Sequence, residues 1–368
     1  MKILFNIHAL HIGGAETVVT NYLLKLKEQG HDVLLVVDER EESFLQERLD
    51  KSGVRTISLR PQRAKTFWGS VQRSVDVRIT NFQKRWKQIL EAEKPDIVHL
   101  HSKPWELPFP AQRTVFTFHS TVERNLTTFG EAHQATIQRL ADKGMSFFCL
   151  SRQAAEDIRR IFRTDRITIL PNGVDLAQIR AEKYDRGTVL RELGIPEEDF
   201  VIGHIGRFHP VKNHIRLLEI FAEVLKKRPN SWLLLIGTGP RDYMGQVSRK
   251  AEELGISGRI KYLGLRNDAT RMIGAFDAMV VPSLSESFSL ALVEAQALDV
   301  RCVASDAVPA EVACNTNCFL LSLNEPDEVW ADYVVDDFER AVSNDLERFD
   351  IYAVVSFLAE EYQKLLQK

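Results

Sequence analysis

The feature that most constrains the fold is a repeated alternation of short apolar runs, glycine-containing loops and amphipathic segments. It starts at Lys2–Ile7, an apolar run followed by Gly13 and Gly14 and then by apolar residues at helical spacing. Strands that alternate with helices in this way predict parallel sheets covered by helices on both faces, the doubly wound α/β arrangement. The alternation begins again at 200–206, after a polar connector. The sequence therefore predicts two Rossmann-like lobes that face each other across a cleft.

The remaining apolar runs give the predicted order of elements. Further strands are expected at 31–37, 96–101, 114–118, 147–151, 232–237, 261–263 and 278–281. Predicted helices begin at Arg152, His214, Tyr243 and Ala269. We assign three segments, which are an N-terminal lobe at 1–172, a C-terminal lobe at 173–350, and a last helix within 351–368. We expect that helix to pack back on the N-terminal lobe.

The composition disfavours several classes of protein. At 368 residues and 44% hydrophobic content, the chain is long enough for two cores. Its formal net charge of -3 disfavours a nucleic-acid binder, which needs a basic surface for phosphate contacts. No apolar run reaches the roughly 18 residues of a membrane-spanning helix, and Asn6 and His8 interrupt the N-terminal run in a way that does not fit a signal peptide. We expect a cytoplasmic protein that does not bind nucleic acid.

One local charge pattern departs from this near-neutral average. Between residues 60 and 90 the chain carries eight basic residues and one acid, and Phe67, Trp68, Phe82 and Trp86 lie among them. Basic residues with interleaved tryptophans are typical of surfaces that meet anionic lipid. A solvated helix whose aromatic side chains turn into the core gives the same pattern. Peripheral contact with the inner face of the cell membrane and an ordinary solvated face therefore both fit the sequence.

Two acids flank the start of a predicted helix in the second lobe. Glu286 lies at a strand-to-helix turn, and Glu294 lies eight residues later, inside the helix. Between them are Ser287, Phe288, Ser289 and Leu290. The amides of these four residues are expected to be free at the positive end of the helix, where a diphosphate can bind. The two acids then accept hydrogen bonds from sugar hydroxyls. The alternative is a helix with one N-terminal acid and one solvated acid.

Glycines follow predicted strands in both lobes. Gly13 and Gly14 follow the first strand, and Gly237 ends the predicted strand at 232–237. Because glycine has no side chain, the backbone at these positions can approach an anion or form a simple tight turn. Gly237 is expected to be a close-approach turn that lines the ligand site.

Cations follow the first strand of the second lobe. Gly206 and Arg207, and then Lys212 and Asn213, bracket a loop at the carboxyl edge of the predicted sheet, where such sheets place their ligands. Arginine supplies a planar two-pronged donor and lysine a point charge, so the two can neutralise two phosphates. Ordinary solvated cations are the alternative.

Three histidines lie in or directly after predicted strands of the first lobe. His119 follows the strand at 114–118, where it could bond to a sugar or phosphate, or equally to a neighbouring carbonyl. His99 and His101 are expected to point to opposite faces of their strand, so that they cannot chelate one metal ion together. The chain contains no Asp-x-Asp pair. We therefore expect no divalent metal, and the charge of a leaving diphosphate falls to cationic side chains and helix amides.

Six segments, in this order, closely resemble the family-4 retaining glycosyltransferases of GT-B fold. They are 13–16, 94–101, 116–119, 170–175, 206–213 and 286–294. The resemblance runs from residue 1 to about residue 315. Residues 294–297 and 303–306 resemble the branch of the family that builds capsule, exopolysaccharide and lipopolysaccharide.

The resemblance implies a nucleotide-diphosphate sugar as co-substrate, with no metal and no other cofactor. Carried over by position, it implies that Arg207 and Lys212 hold the diphosphate and that Glu294 takes the ribose. It places Glu286 and the following amides against the sugar and phosphates. It also implies a front-face displacement, in which the departing phosphate takes the proton of the acceptor hydroxyl and no protein nucleophile is needed.

For the N-terminal lobe, the resemblance implies that Gly14 closes over the phosphate and that His119 lies beside the transferred sugar. Three positions depart from the family pattern. Ser287 and Ser289 stand where glycines are frequent, and Asp299 stands where a helix-ending glycine is expected, although aspartate tolerates left-handed geometry.

These arguments give one expected function and two alternatives. The expected function is retaining transfer of a sugar from a UDP-sugar, ahead of a GDP-sugar, to a glycan or lipid-linked acceptor. The alternatives are a non-catalytic partner subunit that binds nucleotide sugar, and a sugar-nucleotide epimerase. The predicted catalytic residues are Arg207, Lys212, Glu286 and His119. The predicted donor-binding residues are Gly13, Gly14, Gly206, Asn213, Gly237, Ser287, Phe288, Ser289, Leu290 and Glu294.

Overall fold

The computed structural model describes residues 1–11, 13–60, 82–102, 104–181, 185–336 and 345–367. The chain divides into two compact units. The N-terminal unit comprises Met1–Gly173 together with Ile351–Lys368, and the C-terminal unit comprises Val174–Asp350. The division at Gly173 falls one residue after the predicted boundary.

The N-terminal unit is built on a parallel sheet. Its strands are β1 (Lys2–Ile7), β2 (Asp32–Val37), β3 (Arg55–Ser58), β4 (Ile97–Leu100), β5 (Thr114–Thr117), β6 (Ser146–Cys149) and β7 (Ile167–Ile169). They pair in the order β3-β2-β1-β4-β5-β6-β7. Its first helices are α1 (Gly14–Glu28), α2 (Phe44–Lys51), α3 (Phe82–Glu93), α4 (Val122–Phe129), α5 (Glu131–Asp142) and α6 (Arg152–Phe162).

The hydrophobic pattern explains why these segments take this arrangement. The central strands are buried along nearly their whole length, as expected for strands covered by helices on both faces. In α1, the apolar side chains predicted to share one face are all buried, and they are Val19, Tyr22, Leu23 and Leu26. The predicted parallel α/β fold is therefore confirmed in this unit.

The C-terminal unit repeats the plan. Its strands are β8 (Phe200–Ile205), β9 (Ser231–Ile236), β10 (Ile260–Gly264), β11 (Ala278–Val281), β12 (Arg301–Ser305) and β13 (Cys318–Leu321). All neighbours are parallel, in the order β10-β9-β8-β11-β12-β13. The helices are α7 (Leu176–Ala181), α8 (Arg186–Leu193), α9 (His214–Lys227), α10 (Arg241–Glu253), α11 (Ala269–Ile273), α12 (Leu290–Ala297) and α13 (Asp327–Val335).

In each sheet, successive strands are added first towards one side and then towards the other, so the strand order reverses once. In the N-terminal unit the reversal lies between β1 and β4, and in the C-terminal unit it lies between β8 and β11. Loops that follow the two strands at such a point diverge to opposite faces of the sheet and leave a crevice at the carboxyl edge, where ligands of this fold class bind. The sheet order therefore places the loops after β8 and β11 at the expected ligand position of the C-terminal unit.

The last helix, α14 (Ile351–Leu366), belongs to the N-terminal unit and packs against α1. Its residue Tyr362 is fully buried, and the hydroxyl lies 2.5 Å from Nδ1 of His99 on β4. Lys25 of α1 lies over the ring of Tyr352 and bonds to its hydroxyl at 2.7 Å. The chain thus returns to complete the core of the unit in which it began.

The basic stretch at 60–90 is only partly within the described residues, because 61–81, with Phe67 and Trp68, lie outside them. Trp86 is 1% exposed and belongs to the core, and Phe82 stacks on Trp105. These two aromatic residues therefore turn inward, as in the alternative of a solvated helix whose aromatic side chains lie in the core. Throughout the described ranges, no helix has the length and apolar content required to cross a membrane.

Candidate functional site

Backbone hydrogen bonds hold together the loops at the carboxyl edge of the C-terminal sheet. The amide of Gly206 donates to the carbonyl of Ile236 at 2.9 Å, and the amide of Gly237 donates to the carbonyl of Gly264 at 2.8 Å. Gly237 has a φ of +140°, and a Cβ there would lie 2.0 Å from the carbonyl oxygen of Gly206. The predicted close approach at Gly237 is confirmed. The glycine permits two loops to touch backbone to backbone.

Lys212 and Glu286 form the central charged pair of this edge. The ammonium nitrogen of Lys212 lies 2.5 Å from Oε1 of Glu286, and the hydroxyl of Ser283 donates to the same oxygen at 2.8 Å. The loops that carry the pair are joined where the amide of Leu284 donates to the carbonyl of Val211 at 2.8 Å. The Glu286 side chain is 8% exposed and that of Lys212 is 23% exposed. The sequence predicted a site role for each residue but not their pairing.

Glu294 lies one turn inside α12, on the same loop-helix segment. It is half-buried, and protein atoms around its carboxyl group raise its pKa to about 7 by desolvation. Among the described residues, no hydrogen bond or ion pair is found for this carboxyl group. A carboxyl group enclosed without a partner has free capacity for donors such as sugar hydroxyls. Its position is compatible with the predicted contact to a ribose.

The residues between the two acids lead into the start of α12. Ser289 is the N-cap residue of α12, and Leu290 is its first helical residue. The first amides of a helix have no carbonyl partner within the helix, so those of α12 are available to an anion. The Phe288 side chain is buried against Phe349, with ring centroids 5.3 Å apart. Phe288 can therefore contribute only its backbone to a ligand. Asp299, after the helix, has a φ of 58°, which confirms the left-handed turn expected there.

Arg207 and Asn213 stand on either side of the β8 loop. Arg207 is exposed, and no ion pair joins it to another described residue. Asn213 takes the left-handed conformation, with a φ of 56°, and is the N-cap residue of α9. The guanidinium of Arg207 is thus available for a ligand, whereas Asn213 mainly shapes the turn that presents Lys212.

Two buried histidines support this loop, and the sequence analysis did not assign them a role. Nδ1 of His204 donates to the carbonyl of Val280 at 2.8 Å, and burial lowers the pKa of His204 to about 4. His214 stacks on Phe208 with ring centroids 4.2 Å apart, and burial lowers its pKa to about 2. Both are neutral packing residues. A histidine within an otherwise apolar strand, as His204 is, was the only sequence signal that could have identified them.

In the N-terminal unit, Gly13 and Gly14 lie at the start of α1. Gly13 is the N-cap residue, and its carbonyl accepts the Thr17 hydroxyl at 2.8 Å. No atom lies within 4 Å of the position that a Cβ on Gly14 would take. The open space at Gly14 is compatible with a ligand near the amides of α1, and it shows that packing does not require glycine there.

His119 follows β5 and pairs with a second histidine. Its Nε2 lies 2.7 Å from Nδ1 of His101, and burial lowers the pKa of His119 to about 4. The rings of His99 and His101 lie 3.9 Å apart. The prediction that these two point to opposite faces is wrong, because residues two apart on a strand share a face. Burial also lowers the pKa of both, so the cluster is neutral.

In the described part of the chain, no group of three or more histidine, cysteine, aspartate or glutamate side chains is placed to hold a metal ion. The positive charge at the candidate site is that of Lys212 and Arg207, together with the amides of α12.

Models of known protein families match the chain in both units. The model of Glycosyltransferase Family 4 matches residues 12–178, and the model of Glycosyl transferases group 1 matches residues 185–334. The chain belongs to the family-4 glycosyltransferases of GT-B fold. The two matched regions correspond to the two units, so the predicted family and fold are confirmed.

Individual relatives of this family-4 chain include EpsF of Bacillus subtilis (strain 168), a protein assigned as a glycosyltransferase. It is 33% identical over 171 residues, which are 46% of this chain and 44% of EpsF. The UDP-Gal:alpha-D-GlcNAc-diphosphoundecaprenol alpha-1,3-galactosyltransferase of Escherichia coli is 27% identical over an alignment of 266 residues that covers 65% of this chain and 66% of the relative. The matched segments thus span less than two thirds of either relative.

Among solved structures, Anabaena HepE in complex with UDP and glucose superimposes with a TM-score of 0.79. It is 19% identical and covers 99% of this chain and 100% of HepE. At this identity the likeness concerns the fold.

Proposed function

We propose that this chain is a metal-independent, retaining glycosyltransferase. It transfers a sugar from a nucleotide-diphosphate donor, a UDP-sugar ahead of a GDP-sugar, to a glycan or lipid-linked glycan in the synthesis of cell-surface polysaccharide. The observation that carries the proposal is the pair of Lys212 and Glu286 beside the free amides of α12, at the point where the C-terminal sheet reverses. A diphosphate needs this combination of a cation and backbone donors.

The names of similar proteins support the choice of substrate class. HepE holds UDP and glucose, and the galactosyltransferase relative uses UDP-Gal and an acceptor linked to a lipid diphosphate. The family membership of both halves of the chain supports an enzyme over a binding subunit.

The proposed mechanism is electrostatic. As the glycosidic bond to the diphosphate breaks, negative charge grows on the leaving phosphate, and Lys212, Arg207 and the α12 amides stabilise it. One such donor is worth roughly 2.7–4 kcal/mol of transition-state stabilisation. Glu294 holds the ribose hydroxyls, and Glu286 keeps Lys212 in place until the donor arrives. The departing phosphate accepts the proton of the acceptor hydroxyl, so the protein supplies no nucleophile.

Calorimetric titration with UDP and with GDP, each in the presence of EDTA, tests the donor site. We expect micromolar binding of one nucleotide without metal. Glu294→Ala should abolish it, whereas Glu253→Ala, which changes an exposed acid on α10, should leave it intact. Failure of both nucleotides to bind in EDTA would count against a metal-independent donor site. The anomeric configuration of the glycosidic product, compared with that of the donor, tests retention separately.

We also propose that the basic stretch at 60–90 brings the enzyme to lipid-linked acceptors. With Trp86 in the core, the proposal depends on the cations. Flotation with anionic vesicles should weaken when Arg63, Lys65, Arg73 and Arg78 are changed to glutamate. Unchanged flotation would assign the stretch to an ordinary solvated face.

A further inference from the structure

A histidine–carboxylate pair lies at the carboxyl edge of the N-terminal sheet, apart from the residues discussed above. His8 directly follows β1, and Asp38 directly follows β2. Nδ1 of His8 lies 2.9 Å from Oδ2 of Asp38. The amides of Asp38 and Glu39 also donate to the carbonyl of His8, at 2.9 and 3.2 Å. Hydrogen bonds of both the backbone and the side chains therefore hold His8 and Asp38 together at the edge of the sheet.

The pairing determines which nitrogen of His8 faces outward. A carboxylate only accepts hydrogen bonds, so Nδ1 of His8 carries the hydrogen and donates it to Asp38. In the neutral ring, Nε2 then has a free lone pair. The Asp38 side chain is 10% exposed, whereas that of His8 is 60% exposed. A buried carboxylate thus orients an exposed ring, and within the described ranges no residue bonds to Nε2.

A second unpaired acceptor lies in the same pair. Oδ1 of Asp38 is buried and has no hydrogen-bond partner among the described residues, although Asp38 as a whole is only 7% exposed. Buried carboxylate oxygens normally have hydrogen-bond partners, so this oxygen has unused capacity to accept a donor. Nε2 of His8 and Oδ1 of Asp38 are both hydrogen-bond acceptors without a donor among the described residues. A hydroxyl group supplies such a donor, whereas a fully ionised phosphate does not.

The position and charge of the pair agree with a polyhydroxylated ligand. His8 lies at the reversal between β1 and β4, where Asn6 accepts the Ser102 hydroxyl at 3.0 Å. Among the described residues, the charged groups near His8 other than Asp38 are Glu39 and Arg60, which lie 3.7 Å apart. Their charges offset each other, so the described part of this edge has no surplus positive charge for an anion.

We propose that His8, oriented by Asp38, binds a hydroxyl group of the sugar acceptor, with Nε2 as the hydrogen-bond acceptor. This inference rests on the proposed glycosyl transfer, and it concerns the acceptor rather than the donor nucleotide. His8 contacts the substrate, and Asp38 is a positioning residue that selects the tautomer of His8.

The pair also gives acceptor binding a pH dependence. The hydrogen bond to Asp38 raises the pKa of His8, Glu39 adds to this effect, and Arg60 and burial oppose it. Below that raised pKa, Nε2 carries a hydrogen and can no longer accept one. Acceptor binding should therefore weaken as the pH falls through the pKa of His8.

Nuclear magnetic resonance of the protein with ¹³C-labelled histidine tests the proposal, with hexyl glycosides of glucose, galactose and N-acetylglucosamine as probes. We expect at least one glycoside to shift the His8 signal in a saturable way. Asp38→Asn should move the pKa of His8 back towards its ordinary value and weaken probe binding by about tenfold, the order of one lost hydrogen bond. A merely structural role for Asp38 would change that pKa as well but would leave probe binding unchanged.

His8→Phe should remove probe binding while leaving UDP binding unchanged, and His8→Gln serves if the phenylalanine variant does not fold. His31→Ala is the control, because His31 precedes β2 at the opposite edge of the sheet. The proposal is overturned if none of the three glycosides shifts the His8 signal, or if His8→Phe binds them as tightly as the wild type. UDP titration of the same samples reports on the donor site, so the two proposals can fail separately.

Discussion

The ammonium of Lys212 and the carboxylate of Glu286 touch at 2.5 Å, although 74 residues separate them along the chain. Their contact joins the loops after β8 and β11 at the reversal of the C-terminal sheet. Under the proposed function, a diphosphate that binds there would compete with Glu286 for the same charge. We therefore expect Glu286 to control both the position of the ammonium and how firmly it holds a phosphate.

Replacing Lys212 should affect catalysis more than folding. Lys212→Ala removes one charge-stabilising donor, so turnover should fall by about a hundredfold or more. Some stability should be lost too, because the carboxylate of Glu286, whose side chain is only 8% exposed, would have no cationic partner in this variant. Steady-state sugar transfer measures the effect. Lys226→Ala, which removes an exposed lysine paired with Glu223, is the control. Near-normal turnover of a folded Lys212→Ala enzyme would contradict the assigned role.

Neutralising Glu286 should separate donor binding from turnover. Glu286→Gln keeps a side chain that the Ser283 hydroxyl can reach but releases Lys212 from its ion pair. UDP should then bind about fivefold more tightly, the order of about 1 kcal/mol of relieved competition. Turnover should fall because the sugar loses its carboxylate partner. Calorimetry and kinetics on one preparation check both effects, and weaker UDP binding would argue that Glu286 does not compete with phosphate.

Glu294 should make stability depend on pH. Its folded-state pKa of about 7 exceeds the usual value of 4.5, so between these pH values the folded protein holds a proton that the unfolded chain has released. Stability should therefore fall as the pH rises from 4.5 to 7. Glu294→Gln should be more stable than the wild type at pH 8 by about 1–3 kcal/mol, allowing for partial solvent contact. Urea unfolding at pH 5 and pH 8 gives the free energy of unfolding at each pH. The same change between these pH values in both proteins would refute the prediction.

Gly237 should be intolerant of any side chain. Gly237→Ala places a Cβ 2.0 Å from the carbonyl oxygen of Gly206 and forces alanine into a φ of +140°. We expect a loss of at least about 2 kcal/mol in unfolding free energy, together with weaker UDP binding. Gly255→Ala is the matched control, because its φ is also positive, at +69°, but nothing lies within 4 Å. Similar destabilisation by both variants would show that close approach is not the cause.

Tyr362 should matter to the N-terminal unit although it comes near the end of the chain. Tyr362→Phe leaves Nδ1 of the fully buried His99 without its partner, which should cost about 1–3 kcal/mol. Tyr352→Phe also removes a hydroxyl bond, that to Lys25, but at an exposed position, so its effect should be below about 0.5 kcal/mol. Thermal unfolding of the two variants gives the comparison.

Local pattern was enough to predict most elements. Apolar runs of strand length located β1 and β11 at their observed bounds, and the spacing in α1 identified its buried face. Gly237 and Asp299 could be interpreted because backbone conformation at a turn depends on a few adjacent residues. The prediction for His99 and His101 was wrong, because side chains two residues apart on a strand lie on the same face. The aromatic residues at 82–86 remained ambiguous because a membrane face and a core face have the same spacing.

The sequence by itself determined the order of strands and helices, the two-lobed parallel architecture, and which residue types stand at the carboxyl ends of the strands. Only the tertiary structure decided which of those residues meet. Lys212 with Glu286, His8 with Asp38, and His99 with Tyr362 are separated by 74, 30 and 263 residues. Each contact depends on strand order and loop conformation, and these are set by packing of the whole unit rather than by the residues near each member of the pair.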